Sequence, residues 1–180
     1  PPSPTTVPPP FRLAYWVDPP WLMAGCYPGH GDPRIAERQL GALLDCGIRC
    51  FLSLMEEEVR GPFPPYQPTQ ENRAEQRRIA IELQRFEIED HSTPSFQQMR
   101  EIERAIAASI AAKHPVYVHC WGGVGRTGTV VGCWLLRHGL ATPANVIDTI
   151  RSLRNADPVR GHRRSPETDE QEQFVVGWAK

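Results

Sequence analysis

Val116-Tyr117-Val118-His119-Cys120-Trp121-Gly122-Gly123-Val124-Gly125-Arg126-Thr127 is the stretch on which the fold turns. Its first three residues are β-branched or aromatic and read as a short buried strand. Gly122, Gly123 and Gly125 then break the strand. From about Arg126 to His138 the apolar residues Val130, Val131, Trp134 and Leu135 recur at helical spacing, and Gly139 stops the helix. A strand, a glycine-rich turn and a helix N-terminus in that order make an anion site. The three glycines are expected to take positive φ and turn successive N–H groups inward, and the helix dipole favours negative charge at the turn. Cys120 opens the turn. Arg126, six residues on, is placed to reach back and hold two oxygens of a phosphate in a bidentate grip that lysine does not reproduce.

Working outward, Ser92-Thr93-Pro94 opens a helix whose apolar stripe Phe96, Met99, Ile102, Ile106 and Ile110 runs to Lys113. Before it, Leu83 to Glu89 reads as a strand with Phe86 and Ile88 on one face. Strand, helix and strand form one right-handed βαβ unit. If its two strands are neighbours, their carboxyl ends share a rim of the sheet, with Asp90 at the end of the first and Cys120 at the end of the second.

Further out, Asn72 to Ile81 is polar with helical spacing, and residues 56–70 read as a surface loop that could wall a cleft. Ile48 to Leu54 comes after the Gly47 stop as a buried parallel strand. Asp32-Pro33 caps and opens a helix to Cys46. Phe11 to Val17 and Trp21 to Gly25 are short strands around the Asp18-Pro19-Pro20 turn. Downstream, Thr142-Pro143 opens a helix with Val146, Ile147, Ile150 and Leu153, and Ser165-Pro166 opens the last, with Phe174, Val175 and Trp178. The alternation predicts an α/β fold, a three-layer α/β/α arrangement with a central, mostly parallel sheet. Residues 1–10, rich in proline, are expected to be an extended tail, and residues 11–180 a single domain.

The 180 residues carry a formal net charge of -1, so no global field directs the chain to nucleic acid or an anionic membrane. No apolar run is long enough to span a bilayer, and a cytoplasmic protein is expected. Cys26, Cys46, Cys50, Cys120 and Cys133 are odd in number, without framework spacing, and read as free thiols. No C-x-x-C pair supports a metal site, and no cofactor is expected.

His119, Cys120, Arg126 and Thr127 match the signature H-C-x5-R-[ST], and here the chain resembles the protein tyrosine phosphatase superfamily. The resemblance implies a dual-specificity phosphatase-like domain working through a phosphocysteine intermediate. It implies Cys120 as nucleophile, the loop Trp121, Gly122, Gly123, Val124, Gly125 and Arg126 as phosphate cradle, His119 as a loop-orienting residue, and Thr127 as the hydroxyl that stabilises the thiolate leaving group. Ile88-Glu89-Asp90-His91-Ser92-Thr93-Pro94 resembles the acid loop of small dual-specificity phosphatases. Asp90 is thus the expected general acid and then base, with Glu89 the rival. His91 beside it reads as an exposed loop histidine first, and otherwise as a group that tunes Asp90 or meets substrate. Ser165 to Val175 is similar to the segment in which related enzymes place a water-orienting glutamine; Gln171 is the first choice and Gln173 the second.

The chain lacks a tyrosine-containing recognition loop and is shorter than the tyrosine-specific domains. Trp121 to Gly125 contains no lysine, which disfavours highly phosphorylated inositols. The expected substrate is a phosphoprotein carrying phosphotyrosine, with phosphoserine or phosphothreonine as further candidates. The alternatives are another phosphomonoester, such as an inositol phosphate, a nucleotide or an RNA 5' end, or a phospho-binding role without turnover. Arg151, Arg154, Arg160, His162, Arg163 and Arg164 form a basic stretch that reads either as a solvated loop or as a seat for a second phosphate.

Overall fold

The structure, a computed structural model, describes residues 8–56, 63–155 and 162–178. Strands at Ala14–Asp18 (β1), Leu22–Gly25 (β2), Cys50–Ser53 (β3), Glu82–Arg85 (β4) and Val116–His119 (β5) form one sheet in the order β1-β2-β5-β3-β4. β1 lies antiparallel to β2, and the remaining pairings are parallel. The helices are Pro33–Asp45 (α1), Gln67–Gln76 (α2), Phe96–Ala111 (α3), Arg126–Arg137 (α4), Val146–Arg154 (α5) and Asp169–Gly177 (α6).

Handedness sorts these helices into layers. The steps β2 to β3 and β3 to β4 run the same way along the sheet, so right-handed crossovers put α1 and α2 on one face. The step β4 to β5 runs back, which puts α3 on the other. In agreement, α1 packs on α2, while α3, α5 and α6 all pack on α4. This is the three-layer α/β/α arrangement that the alternation of elements predicts. Every residue of α4 from Arg126 to Leu135 is buried, so the helix that follows the cysteine loop is also the centre of its layer.

Register aligns the ends of the parallel strands. Gly25, His119 and Ser53 are paired across β2, β5 and β3, and Ser53 with Arg85 across to β4. The segments leaving these strand ends therefore emerge along one rim: Cys26, Cys120, Glu56 and the loop to Asp90. The neighbour relation considered for β4 and β5 does not hold, because β3 lies between them. Parallel direction alone keeps Asp90 and Cys120 on the same edge.

Several boundaries differ from the sequence reading, each for a local reason. The helix expected at Asn72 begins at Gln67, inside the supposed loop, because Pro68 is compatible with a first turn. Strand β4 ends at Arg85 rather than Glu89. It is an edge strand with β3 as its one partner, although the N–H groups of Phe86 and Ile88 still donate to Ser53 and Leu54. Ser95, not Ser92, caps α3 through the Gln98 N–H, and Thr168 caps α6 in a capping box with Gln171. The helix expected from Thr142-Pro143 begins at Val146. Of the proline-rich tail, residues 1–7 lie outside the described residues, as do 57–62 of the loop. Pro8 meets the fold, its carbonyl accepting from Cys46 Sγ at 3.8 Å. Among the described residues no helix is long and apolar enough to cross a membrane.

Candidate active site

A cavity of about 190 Å3 opens at the rim, and Asp90, Cys120, Trp121, Gly122, Val124, Gly125 and Arg126 line it together. Cys120 comes directly after β5 and is 3% exposed. The turn beyond it depends on glycine in different ways. Gly123 has φ +68°, and a Cβ there would sit 2.6 Å from the Gly25 carbonyl carbon and 2.7 Å from the Cys26 nitrogen, so the loop packs its bare backbone onto the end of β2. Gly123 is the one glycine of this loop with positive φ, contrary to the expectation for Gly122 and Gly125. At Gly125 the constraint is space, since a Cβ would come within 3.0 Å of Gln171 Oε1 and 3.1 Å of Glu167 Oε2. Val124 is buried, and its carbonyl accepts from Ser165 Oγ at 2.7 Å, which ties the loop to the segment before α6.

Arg126 is the first residue of α4 and is 3% exposed. Its Nη1 donates to Glu56 Oε2 at 3.1 Å and to the Ile88 carbonyl at 3.0 Å, while Nη2 meets Asp90 Oδ1 at 3.0 Å. Nε is buried without a hydrogen-bond partner among the described residues. One edge of the guanidinium is thus fixed by the protein, and the other, Nε with Nη2, is available to an oxyanion that takes the place of Asp90. The Thr127 hydroxyl is likewise buried and unpartnered among the described residues.

His119 lies beneath the loop, fully buried. Its Nδ1 is 3.1 Å from the Cys120 carbonyl and its Nε2 is 2.9 Å from the Tyr66 hydroxyl. Burial lowers its pKa to about 4, so the ring is neutral near pH 7. A neutral ring with a proton on Nδ1 satisfies both contacts, donating to the carbonyl and accepting from Tyr66.

The loop carrying Asp90 is held at two points. Ile88, buried at 2% exposure, gives its carbonyl to Arg126, and the Ser92 carbonyl accepts from Gln171 Nε2 at 3.0 Å. Between them Asp90 faces the cavity, whereas Glu89 is exposed and does not line it. His91 has φ +63°, and its ring nitrogens stand 3.6 Å from Asp90 Oδ2 and 3.6 Å from Glu167 Oε2.

Gln171 is fully buried and does not line the cavity; its Oε1 accepts from the N–H groups of Glu167 and Thr168. Gln173 is exposed and also does not line it. The side chains that reach the cavity from this segment are Glu167 and Arg163, joined by a 2.8 Å ion pair. The other arginines described in the basic stretch are engaged elsewhere, and His162 is exposed: Arg154 is buried against the Arg163 carbonyl, Arg151 pairs with Asp148, and Arg164 pairs with Asp169 and Glu172. Arg160 lies outside the described residues.

Sequence reasoning passed over Glu56 and Tyr66 and gave no role to Glu167. Glu56 stands in a run of glutamates that reads as loop. Its signal is position, three residues beyond the end of a strand adjacent to β5. Tyr66 has no comparable signal, because its partner His119 is reached only through the fold.

A buried cysteine at the head of a glycine-rich turn, with an arginine on one side and a carboxylate on the other, on this α/β/α frame, places the chain in the protein tyrosine phosphatase superfamily, among the atypical or dual-specificity phosphatases. Residues 28–140 match a family model described as a polymorphic toxin system, DSP-PTPase phosphatase, and the chain belongs to that family. Among curated proteins it is 34% identical over 93 residues to an uncharacterised protein of Methanocaldococcus jannaschii, covering 52% of each. It is 42% identical over 65 residues to the dual specificity protein phosphatase CDC14AB of Danio rerio, covering 36% of this chain and 10% of that one. The chain thus spans about half the length of the archaeal relative and far less of the fish enzyme. Among solved structures, Tk-PTP in its active form superposes with a TM-score of 0.71 at 24% identity, covering 93% of this chain and 96% of the other. PTPMT1 in complex with PI(5)P gives 0.69 at 17% identity, covering 93% and 94%.

Proposed function

We propose that the protein hydrolyses phosphate monoesters of phosphoprotein, with phosphotyrosine as the leading substrate, through a phosphocysteine on Cys120 and without a metal. The observation that carries this reading is the meeting of Cys120, Arg126 and Asp90 around one cavity. These supply the nucleophile, the oxyanion clamp and the proton that two successive displacements at phosphorus need.

In the first step the substrate phosphate binds Nε and Nη2 of Arg126, displacing Asp90 from Nη2; Asp90 takes up a proton from solvent, and loop N–H groups take the remaining phosphate oxygens. The Cys120 thiolate attacks phosphorus, the ester P–O bond breaks, and Asp90 gives its proton to the departing oxygen. In the second step water attacks phosphorus while Asp90 takes its proton. The S–P bond breaks, and the Thr127 hydroxyl donates to the thiolate that leaves. Glu56 orients Arg126, and His119 holds the Cys120 carbonyl. Gln171 acts from behind Gly125, fixing Ser92 and hence the acid loop, rather than by touching water.

A second reading, a non-protein phosphomonoester, is favoured by Arg163, a further cation at the cavity wall. Against a polyphosphate, Arg163 is already paired with Glu167, and the loop carries no lysine.

Leaving-group dependence tests the assignment. Asp90→Asn is expected to lower kcat on phenyl phosphate by about two to four orders of magnitude and on p-nitrophenyl phosphate much less, since a good leaving group needs little protonation. Glu89→Gln is expected to behave like the parent. Equal losses on both esters, or a large loss in Glu89→Gln, would move the acid elsewhere. Full activity in the presence of a chelator is expected alongside.

A further inference from the structure

Trp121 has two sides. One lines the catalytic cavity; the other lines a second hollow of about 280 Å3. Rings wall that hollow: Tyr27 and Phe63 each stand 5.3 Å from Trp121, and His30 stands 5.1 Å from Phe63. The Tyr27 hydroxyl is spent on the Pro64 carbonyl, so the ring presents its apolar body. Leu13 and Gln39 line this hollow and also a third, of about 460 Å3, whose lining includes Arg12 and Arg38. Both arginines are exposed, and neither side chain has an ion pair or hydrogen bond among the described residues. Three concavities therefore share walls in series, running from the buried thiol through an aromatic hollow to a place where two cations await a carboxylate.

We infer that this series is a substrate groove, and that its occupant is a phosphopeptide strand carrying an apolar side chain close to the phosphoresidue and an acidic side chain beyond it. The inference rests on the phosphoprotein reading proposed for the catalytic cavity. Continuity with that cavity selects the substrate itself rather than a separate partner. The aromatic walls select an apolar side chain, which gains by leaving water, and the unpaired guanidinium groups select a carboxylate by charge. A small phosphate ester fills the first cavity alone and gains nothing from the rest.

The test compares kcat/KM for p-nitrophenyl phosphate with that for phosphotyrosine peptides. The peptides carry leucine or alanine next to the phosphotyrosine, and glutamate or lysine further out, on either side. The parent is expected to prefer the leucine and glutamate peptide, each feature contributing about three- to tenfold. Arg12→Glu/Arg38→Glu is expected to remove the preference for glutamate, or reverse it toward lysine, through KM, with p-nitrophenyl phosphate turned over as before. If the peptides are hydrolysed but their flanks and these arginines do not matter, the groove is overturned while the phosphoprotein reading stands. If no peptide is hydrolysed and a non-protein ester is, both fall together.

Discussion

His119 shows how far burial sets the behaviour of a single side chain at this site. Its contacts to Tyr66 and the Cys120 carbonyl suit a neutral ring, and burial brings its pKa down to about 4. In the unfolded chain the ring takes up a proton near pH 6.5, whereas in the fold it does so only near pH 4. Below pH 6.5 the unfolded state therefore binds more protons. The stability held above that pH is lost as pH falls toward 4, by on the order of 3 kcal/mol. His119→Asn lacks this titration. The stability gap between parent and variant, measured by urea unfolding, is expected to shrink steadily from about pH 7 to about pH 4.5; a constant gap would mean that His119 is not held neutral.

Residues whose role depends on chain position alone are legible in the sequence. Cys120, Arg126 and Asp90 come after strands or start a helix, and their meeting around one cavity results from the rim they share. Glu56, Tyr66 and Glu167 touch the site through contacts across the sheet or from the segment before the last helix, and no local pattern announces such contacts. Gln171 falls between these cases. It stands in the expected segment, but a capping box and the Ser92 carbonyl occupy its amide.

At the scale of the element, the cysteine loop is a backbone object. Its contact with β2 runs through Gly123, where positive φ and a 2.6 Å approach leave no room for Cβ. Gly123→Ala is expected to destabilise the fold by about 1–3 kcal/mol and to weaken inhibition by phosphate or vanadate at least about tenfold, because the N–H nest must deform. Denaturant melts and inhibition constants check both; an alanine variant with parental values would show that the loop is not held by this contact. Periodicity and caps locate the helices well where both are strong, as in α1, which runs from Pro33 to Asp45 behind its Asp32 cap. They locate α2 poorly, because its buried residues, Gln70 and Ala74, give no apolar stripe.

Across the whole molecule, α4 couples packing to chemistry. Its N-terminus carries Arg126, and its middle packs on α6, whose own N-terminus holds the Asp90 loop through Gln171. Gly132 is a point of close approach, since a Cβ there would lie 2.5 Å from Val175 Cγ1. Gly132→Ala is expected to cost about 1–3 kcal/mol by overpacking and to lower turnover as α6 shifts. Adding Val175→Ala should return most of both; failure of the second substitution to rescue would uncouple α6 from the Asp90 loop. Strand order is the part of the fold least legible in the sequence. The βαβ unit from β4 to β5 can be read from alternation and turn signals, but the insertion of β3 between them comes from pairing between distant segments, which hydrophobic pattern does not encode.

A covalent phosphoryl-enzyme on Cys120 is the centre of this mechanism, and it is tested most directly by acid-quenching the protein during turnover of an aryl phosphate and mapping the modified peptide. The expected result is a burst of phenol equal to the enzyme present, with a single phosphoryl group on the peptide containing Cys120 and none in an inactive Cys120→Ser variant. A phosphoryl group on another residue, or undiminished turnover by Cys120→Ser, would contradict it.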